Sequence, residues 1–461
     1  MSSTDNTQDN AAYVEHLQIV QSRWNDALEA AGFDAALVAA GHARPYFLDD
    51  QAPVFRANPH LTQWFNDDHC EHSLLLVTAG QRPRLFFYQP EDYWHQAPEA
   101  PDRLSPFMDL QLYSDPAKLE AAALGAAQEI NRVAYVGEQI GENLGEDASR
   151  NLPVSELNPA QLLSHLSYQR AYKTEFEVSC IRQATAAAVA GHHAAREAFA
   201  TGAAEFEIQL RYLEASRQTQ ADVPYSNIIA LNEHASVLHY QHYDRDPPTA
   251  RRSFLIDAGA RHLCYASDIT RTYAADAGEP GSETFAALIA GLDAAQLELI
   301  ASIETGQNYL DLHEDMHRRL GRLLAESKLV HCSSEAAFDL GITRSFLPHG
   351  LGHLLGLQTH DVGGHQTSPA GGQNPPPEQY STLRLTRPVE TNQVFTIEPG
   401  LYFIPQLLRS LREGDHTRQV NWTIVEELMP FGGIRIEDNV LVTDAGTENL
   451  TREAFARLSA R

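Results

Sequence analysis

Five short frames spread over 181 positions constrain this chain more than anything else in it. They are Ile-Asp-Ala-Gly around Asp257, Ser-Asp-Ile-Thr-Arg-Thr around Asp268, His-Gly-Leu-Gly-His ending at His353, Ile-Glu-Pro-Gly around Glu398, and Arg-Ile-Glu-Asp-Asn around Glu437. Four oxygen donors and one imidazole form a hard ligand set, suited to Mn²⁺, Fe²⁺ or Co²⁺ rather than to a thiolate-type zinc site. Four ionised side chains are too much charge for one divalent cation. Two ions would balance them, and ions about 3.5–4 Å apart recur in hydrolytic enzymes. The residues therefore read as a dinuclear metallohydrolase.

Each frame has a duller explanation. Asp before Ala-Gly is usually a turn residue, Glu-Pro-Gly is usually a turn, and a His pair is more often packing than ligation. Gly350, Gly352 and Gly356 faintly echo a dinucleotide loop, but the spacing is wrong and no acidic ribose partner follows. What outweighs these readings is the joint occurrence of five ligand types in compatible frames. The His192-His193 pair, on an alanine-rich helix, has no such support.

Local patterning suggests how the spacing works. Ser253–Asp257 and Cys264–Tyr273 read as antiparallel strands with a turn at Gly259–His262, which would make Asp257 and Asp268 cross-strand neighbours. Alternation puts Thr270 on the face of Asp268 as a supporting partner. Arg435, Glu437 and Asn439 likewise share one face of a strand over Ile434–Thr443. The glycines between His349 and His353 would let backbone approach a metal; geometry alone leaves open which imidazole is the ligand.

The remaining chain supplies a scaffold. With 461 residues, two domains are expected. The first part reads as mixed α/β: a helix near 12–31, a strand over Ala35–Ala40, a hairpin of Ser73–Val77 with Leu85–Tyr88, and a strand at Val133–Val136. A boundary falls near Arg170. Thr174 and Glu177 form a capping-box signature for a helix ending at Gly202. A second helix, Glu205–Arg217, precedes strand-like segments at Val223–Ala230 and Val237–His242. The order then recurs, with Ser282 capping a helix to Ile303 and another over Leu310–Ser327. Residues 363–380 read as a surface loop or lid.

The formal charge of −27 argues against non-specific binding to nucleic acid or anionic membranes. Cys70, Cys180, Cys264 and Cys332 form no Cys-x-x-Cys pair and suggest buried free thiols in a reducing, cytoplasmic setting. The polar N-terminus carries no signal-peptide pattern, and no apolar run approaches a membrane span.

In these frames the chain resembles the bacterial Xaa-Pro dipeptidases (prolidases), a group that includes the organophosphorus acid anhydrolases. The likeness is strongest over residues 170–445, and Leu-Asp-Asp at 48–50 and Asn58-Pro59-His60 extend it weakly toward the N-terminus. It implies an α+β protein: a creatinase-like N-terminal α/β domain (1–170), then a pita-bread catalytic domain (171–461) with two similar halves of paired helices plus sheet. It further implies that Asp257, Asp268, His353, Glu398 and Glu437 ligate two divalent ions per subunit, typically Mn²⁺ with Co²⁺ or Zn²⁺ as substitutes, Asp268 and Glu437 bridging. By the same likeness His353, not His349, is the ligand. His349 and His360 face the substrate, and His239 and Arg384 grip the proline carboxylate. Arg435 is a neighbouring active-site arginine and Tyr225 a pocket wall, while Asp49 or Asp50 reaches across a homodimer interface. The acidic stretch Leu61–Asp68 and the composition of 363–380 depart from the family pattern and bear on side-chain preference before proline.

The implied reaction is hydrolysis of Xaa-Pro dipeptides by a hydroxide held between two ions, Glu398 shuttling the proton and His360, with Arg435, steadying the oxyanion. Attack on organophosphate esters would be a side reaction. The alternatives are an aminopeptidase P acting on longer peptides, a metal-free amidinohydrolase, and a scaffold protein on the same fold; five retained ligand positions weigh against the last two.

Overall fold

A computed structural model describes residues 3–94, 96–138, 154–275 and 278–460. The chain forms two compact units. One holds the residues up to Arg170 with Thr174–Phe176 and Ser368–Gly372; the other holds Ala171–Lys173, Glu177–Thr367 and Gln373–Arg461.

The first unit is built on a six-stranded sheet of β1 (Ala35–Ala39), β2 (Leu74–Thr78), β3 (Arg84–Tyr88), β4 (Asp109–Tyr113), β5 (Val133–Val136) and β6 (Glu156–Leu157), in the order β4-β3-β2-β1-β5-β6. β1 runs antiparallel to β2 and parallel to β5. All five of its residues are buried, which explains its unbroken apolar run. The expected hairpin is β2–β3. Leu37, Leu76 and Phe86 pack with Leu119, Ala123 and Ala127 of helix Pro116–Gln128. Asp115 starts that helix by accepting from the amides of Ala117 and Lys118, with Pro116 in its first turn.

In the second unit, helices Glu175–Thr201 and Glu205–Ser216 precede a sheet of β7 (Ile228–Leu231), β8 (Ser253–Asp257) and β11 (Thr270–Ala274), with the small hairpin β9 (Arg261–His262) and β10 (Tyr265–Ala266) between them. Helices Ser282–Ala301 and Tyr309–Glu326 follow. After β12 (Gln366–Ser368) and β13 (Gly371–Gln373) come β14 (Val394–Ile397), β15 (Gly400–Tyr402), β16 (Gly433–Arg435), β17 (Asp438–Thr443) and β18 (Gly446–Asn449). Here the sheets are β14-β17-β18 and β15-β16. The order of two helices followed by strands thus occurs twice, as expected.

Several local expectations change. Cys264–Tyr273 is not one strand: it splits into β10 and β11, and the turn lies at Leu263 and Cys264, both with positive φ. Val237–His242 is not a strand. Asn232 adopts φ +54, ending β7 in a 3₁₀ turn, and residues 237–244 continue without regular structure. Ser282 is the first helical residue rather than the cap; Gly281 occupies the cap position with φ +84, and its carbonyl accepts from Phe285 N. That helix, Ser282–Ala301, is long and apolar enough to cross a membrane, contrary to the expectation that no run approaches a span. Its Phe285, Leu288, Leu292 and Leu299 are buried in the core of this unit. Cys70, Cys180 and Cys264 are buried free thiols, and Cys332 is half-buried.

Candidate metal centre

Asp257 is the last residue of β8, and its cross-strand partner is Thr270, not Asp268. Asp268 lies just before β11, so the two aspartates approach diagonally. The Tyr225 hydroxyl joins them, lying 2.7 Å from Asp257 Oδ1 and in short contact with Asp268 Oδ1. Gly259 permits this turn, because a Cβ there would lie 2.0 Å from the Ser267 carbonyl oxygen. His192 supports the same corner: fully buried, it hydrogen-bonds through Nε2 to the Ala258 carbonyl at 2.9 Å, which is a packing role.

The other ligand candidates come from the second half. Glu398 follows β14, and its amide donates to Leu351 O at 2.7 Å. The segment before it runs beside β14: Thr396 N donates to His353 O, and His353 N to Thr396 Oγ1. A Cβ on Gly352 would lie 2.0 Å from Thr396 O and 2.2 Å from the Tyr309 hydroxyl, so only glycine fits. Glu437 sits between β16 and β17 and is bridged to Thr270, whose carbonyl accepts from the Glu437 amide at 3.0 Å. The Thr270 hydroxyl donates to Glu437 Oε2 at 2.8 Å and accepts from Arg435 Nε at 3.1 Å. It supports the acidic cluster as expected, though through Glu437.

His353 Nδ1 donates to the Leu354 carbonyl at 3.0 Å, so Nε2 carries the free lone pair. That nitrogen lies 3.4 Å from Asp268, 3.7 Å from Glu398 and 3.9 Å from Glu437. Ligand atoms of Asp268, His353 and Glu437 all fall within 4.8 Å of one another. Burial, reinforced by neighbouring carboxylates, pushes the Asp268, Glu398 and Glu437 carboxyls well above their usual range. Burial lowers His353 to about 4, leaving it neutral, the form that binds metal. A buried cluster so rich in acceptors and so short of positive charge fits divalent cations. Its donor set is oxygen plus one imidazole, the hard combination read from the sequence.

A cavity of about 250 Å³ opens over this cluster, lined by Asp257, Asp268, His353, Glu398, Glu437 and Arg435 and by His239, His349, His360 and Arg384. The rings of His353 and His360 meet edge to face, centroids 4.4 Å apart, and burial lowers His360 to about 3. Two expected residues do not line the cavity. Tyr225 lies against the two aspartates, and Asp50 lies in an exposed segment of the first unit, as does Asp49.

His349 lines the cavity, yet both its ring nitrogens already have protein partners. Nδ1 donates to Gly350 O at 2.8 Å, and Nε2 accepts from the Tyr402 hydroxyl at 2.9 Å. Tyr402 in turn accepts from Arg435 Nη1 at 2.7 Å. Sequence reasoning missed Tyr402. The available signal was strand alternation after Glu398: Gly400 and Tyr402 share a face, and Gly400 pairs with Arg435.

Residues 179–444 match the model of metallopeptidase family M24, and residues 11–168 match that of the Xaa-Pro dipeptidase N-terminal domain. An Xaa-Pro dipeptidase of Pseudoalteromonas haloplanktis is 42% identical over 441 residues, covering 95% of this chain and 97% of the relative. One of Aeromonas hydrophila is 44% identical over 445 residues, covering 96% and 98%. Among solved structures, Pseudomonas aeruginosa aminopeptidase PepP has a TM-score of 0.72 at 21% identity, covering 98% of this chain and 99% of that one. Escherichia coli aminopeptidase P with the inhibitor Pro-Leu has a TM-score of 0.69 at 21% identity, covering 96% and 98%. The structural likenesses establish the fold alone. The family models and the two relatives together define a metal-dependent peptidase. The chain belongs to metallopeptidase family M24.

Proposed function

We propose that this chain hydrolyses Xaa-Pro dipeptides to an amino acid and proline in a metal-dependent reaction. The observation that carries the reading is one small cavity containing both the acidic cluster and two groups suited to a carboxylate, His239 and Arg384. Relatives named Xaa-Pro dipeptidases at 42–44% identity over nearly the whole chain support it.

Asp257, Asp268, His353, Glu398 and Glu437 would hold two divalent ions, with Mn²⁺ preferred on ligand hardness. Bound there, such ions lower the pKa of water toward neutrality and polarise a carbonyl. The chain's own residues supply the rest. Glu398, in the cavity with Oε2 3.7 Å from His349 Nδ1, takes the proton of the attacking water and delivers it to the imino nitrogen of proline. His360 donates to the oxygen that becomes negative as the carbonyl is attacked. Arg435 holds Asp257 through Nη2 at 2.6 Å and fixes the Tyr402–His349 pair on its other side.

Specificity follows from the amide and the terminus. The X–Pro bond has no N–H and a substantial cis population, so general peptidases handle it poorly and a shaped pocket is required. Arg384 and His239 bind the C-terminal carboxylate, Arg384 through a planar fork. A longer peptide offers no carboxylate at that point. Cytoplasmic location, a homodimer with Asp49 or Asp50 reaching toward the partner's site, and a side activity on organophosphate esters belong to the same reading.

Side-by-side assay of Ala-Pro and Ala-Pro-Ala after loading with Mn²⁺, Co²⁺ or Zn²⁺ tests the proposal. Cleavage of Ala-Pro alone supports it. Faster cleavage of Ala-Pro-Ala would move the chain to aminopeptidase P activity.

A further inference from the structure

His239 reaches the cavity from a segment, residues 237–244, that has no regular secondary structure. Something outside the cavity must hold that segment if the side chain is to keep a fixed place. Its other hydrogen bonds are few: Val237 N to His234 O, Tyr240 N to Val237 O, Phe206 N to Asp244 O at 3.1 Å, and the long contact of Gln241 Nε2 with Ser226 O at 3.3 Å. The Tyr243 hydroxyl also reaches Asn227 O.

The strongest anchor is Glu205, the first residue of helix Glu205–Ser216, whose side chain is 1% exposed. Oε1 accepts from Leu231 N and His234 Nδ1, each at 2.8 Å. Oε2 accepts from the Tyr240 hydroxyl at 2.7 Å and Asp244 N at 2.8 Å. Two of these donors, Tyr240 and Asp244, flank His239 on its C-terminal side, and His234 precedes it. Leu231 ends β7, which pairs with β8 in the register Ile228 to Asp257. The Tyr240 ring stacks on His234 at 4.4 Å. One carboxylate therefore ties the His239 segment to the sheet that carries a ligand aspartate.

Glu205, His234 and Asp244 have the residue types of a cation site. All four lone-pair positions on the Glu205 carboxylate are taken by hydrogen bonds, which speaks for a tether instead. Burial alone would raise this carboxyl, but its donors outweigh burial and hold it below the usual range, as a permanently charged tether requires.

We propose that Glu205 is a positioning residue: it acts through His239 to set the affinity of the site for the substrate carboxylate, without touching substrate or metal. The inference rests on reading His239 as a carboxylate-binding group. Its test is a double-mutant cycle on Ala-Pro with the metal-loaded full chain, using Glu205→Gln, His239→Ala and the double variant. Gln keeps the shape but turns an NH₂ toward two N–H or O–H donors. The expected result for Glu205→Gln is a KM raised about tenfold, kcat within about threefold, and unchanged metal content. In the His239→Ala background the same substitution should change KM less than about twofold.

An unchanged KM in Glu205→Gln, or an equal rise in both backgrounds, overturns the inference. If His239→Ala itself leaves KM unchanged, the carboxylate reading falls and takes the inference with it. If only Glu205→Gln is silent, the inference falls alone. Should Glu205→Gln fail to fold, Tyr240→Phe, which removes one donor and keeps the ring, is judged by the same cycle; its KM rise must vanish when His239 is absent.

Discussion

Nη2 of Arg435 lies 2.6 Å from Oδ2 of Asp257, so a candidate ligand carboxylate is gripped by a buried guanidinium. That contact fixes the carboxylate's rotation and also sets the charge balance. Four carboxylates against the guanidiniums of Arg435 and Arg384 leave a surplus of negative charge at the cavity, which divalent cations would offset.

Removing metal should make stability fall as pH rises. In the metal-free protein the carboxyls of Asp268, Glu398 and Glu437 are raised above their unfolded values. Groups raised in this way contribute stability that is fully present below the unfolded pKa and is lost as pH climbs through the folded pKa. With metal bound, the same groups are held ionised and that loss disappears. The difference in Tm between loaded and chelated protein should therefore widen from pH 5 to pH 8, read by calorimetry. A constant or shrinking gap would contradict the buried acidic cluster.

Thr270→Val keeps the shape of a residue on β11 but removes a donor to Glu437 and an acceptor for Arg435. Loss of such a support for a ligand typically costs about 10–100-fold in metal affinity or activity. Metal titration with activity as a second readout checks it. Wild-type affinity in a folded variant would mean that Glu437 needs no help.

Arg384→Ala should raise the KM for Ala-Pro by at least about tenfold while affecting Ala-Pro-Ala less, because the substrate carboxylate loses its charged partner. Kinetics on the two peptides give the answer, and unchanged Ala-Pro kinetics would remove Arg384 from the site.

Gly352→Ala forces a Cβ to within 2.0 Å of backbone oxygen on β14, beside the candidate ligand His353. Overpacking of this kind costs about 1–3 kcal/mol. Urea denaturation should show that loss, together with weakened metal binding. Full retention of both would show that the 351–355 segment can move away from Thr396.

The frames of the candidate ligands were legible because they lie where a strand ends or a glycine lets backbone approach closely: Asp257 at the end of β8, Glu398 after β14, His353 beside Gly352. The helices and the β2–β3 hairpin were legible for the same kind of local reason, periodicity and turn chemistry. What local patterning did not give was set by distant partners. Tyr402 matters because Arg435 and His349 reach it from elsewhere in the chain. Val237–His242 carries strand-like residues, yet Tyr240 and Asp244 bond to Glu205 instead of to a neighbouring strand. The diagonal placement of Asp268 depends on a turn at Leu263 and Cys264 that needs positive φ at two non-glycine residues, a choice their side chains do not advertise.

The Thr270–Glu437 bridge joins β11 of one half to the residue preceding β17 of the other. The candidate donors thus come from two stretches of sequence, Asp257 and Asp268 from the first and His353, Glu398 and Glu437 from the second. The earlier stretch brings Asp257, Asp268 and His239 to the cavity, and the imidazole of His353 comes from the later one. The cavity is therefore complete only when both stretches are folded against each other, with the Thr270–Glu437 contact at their junction.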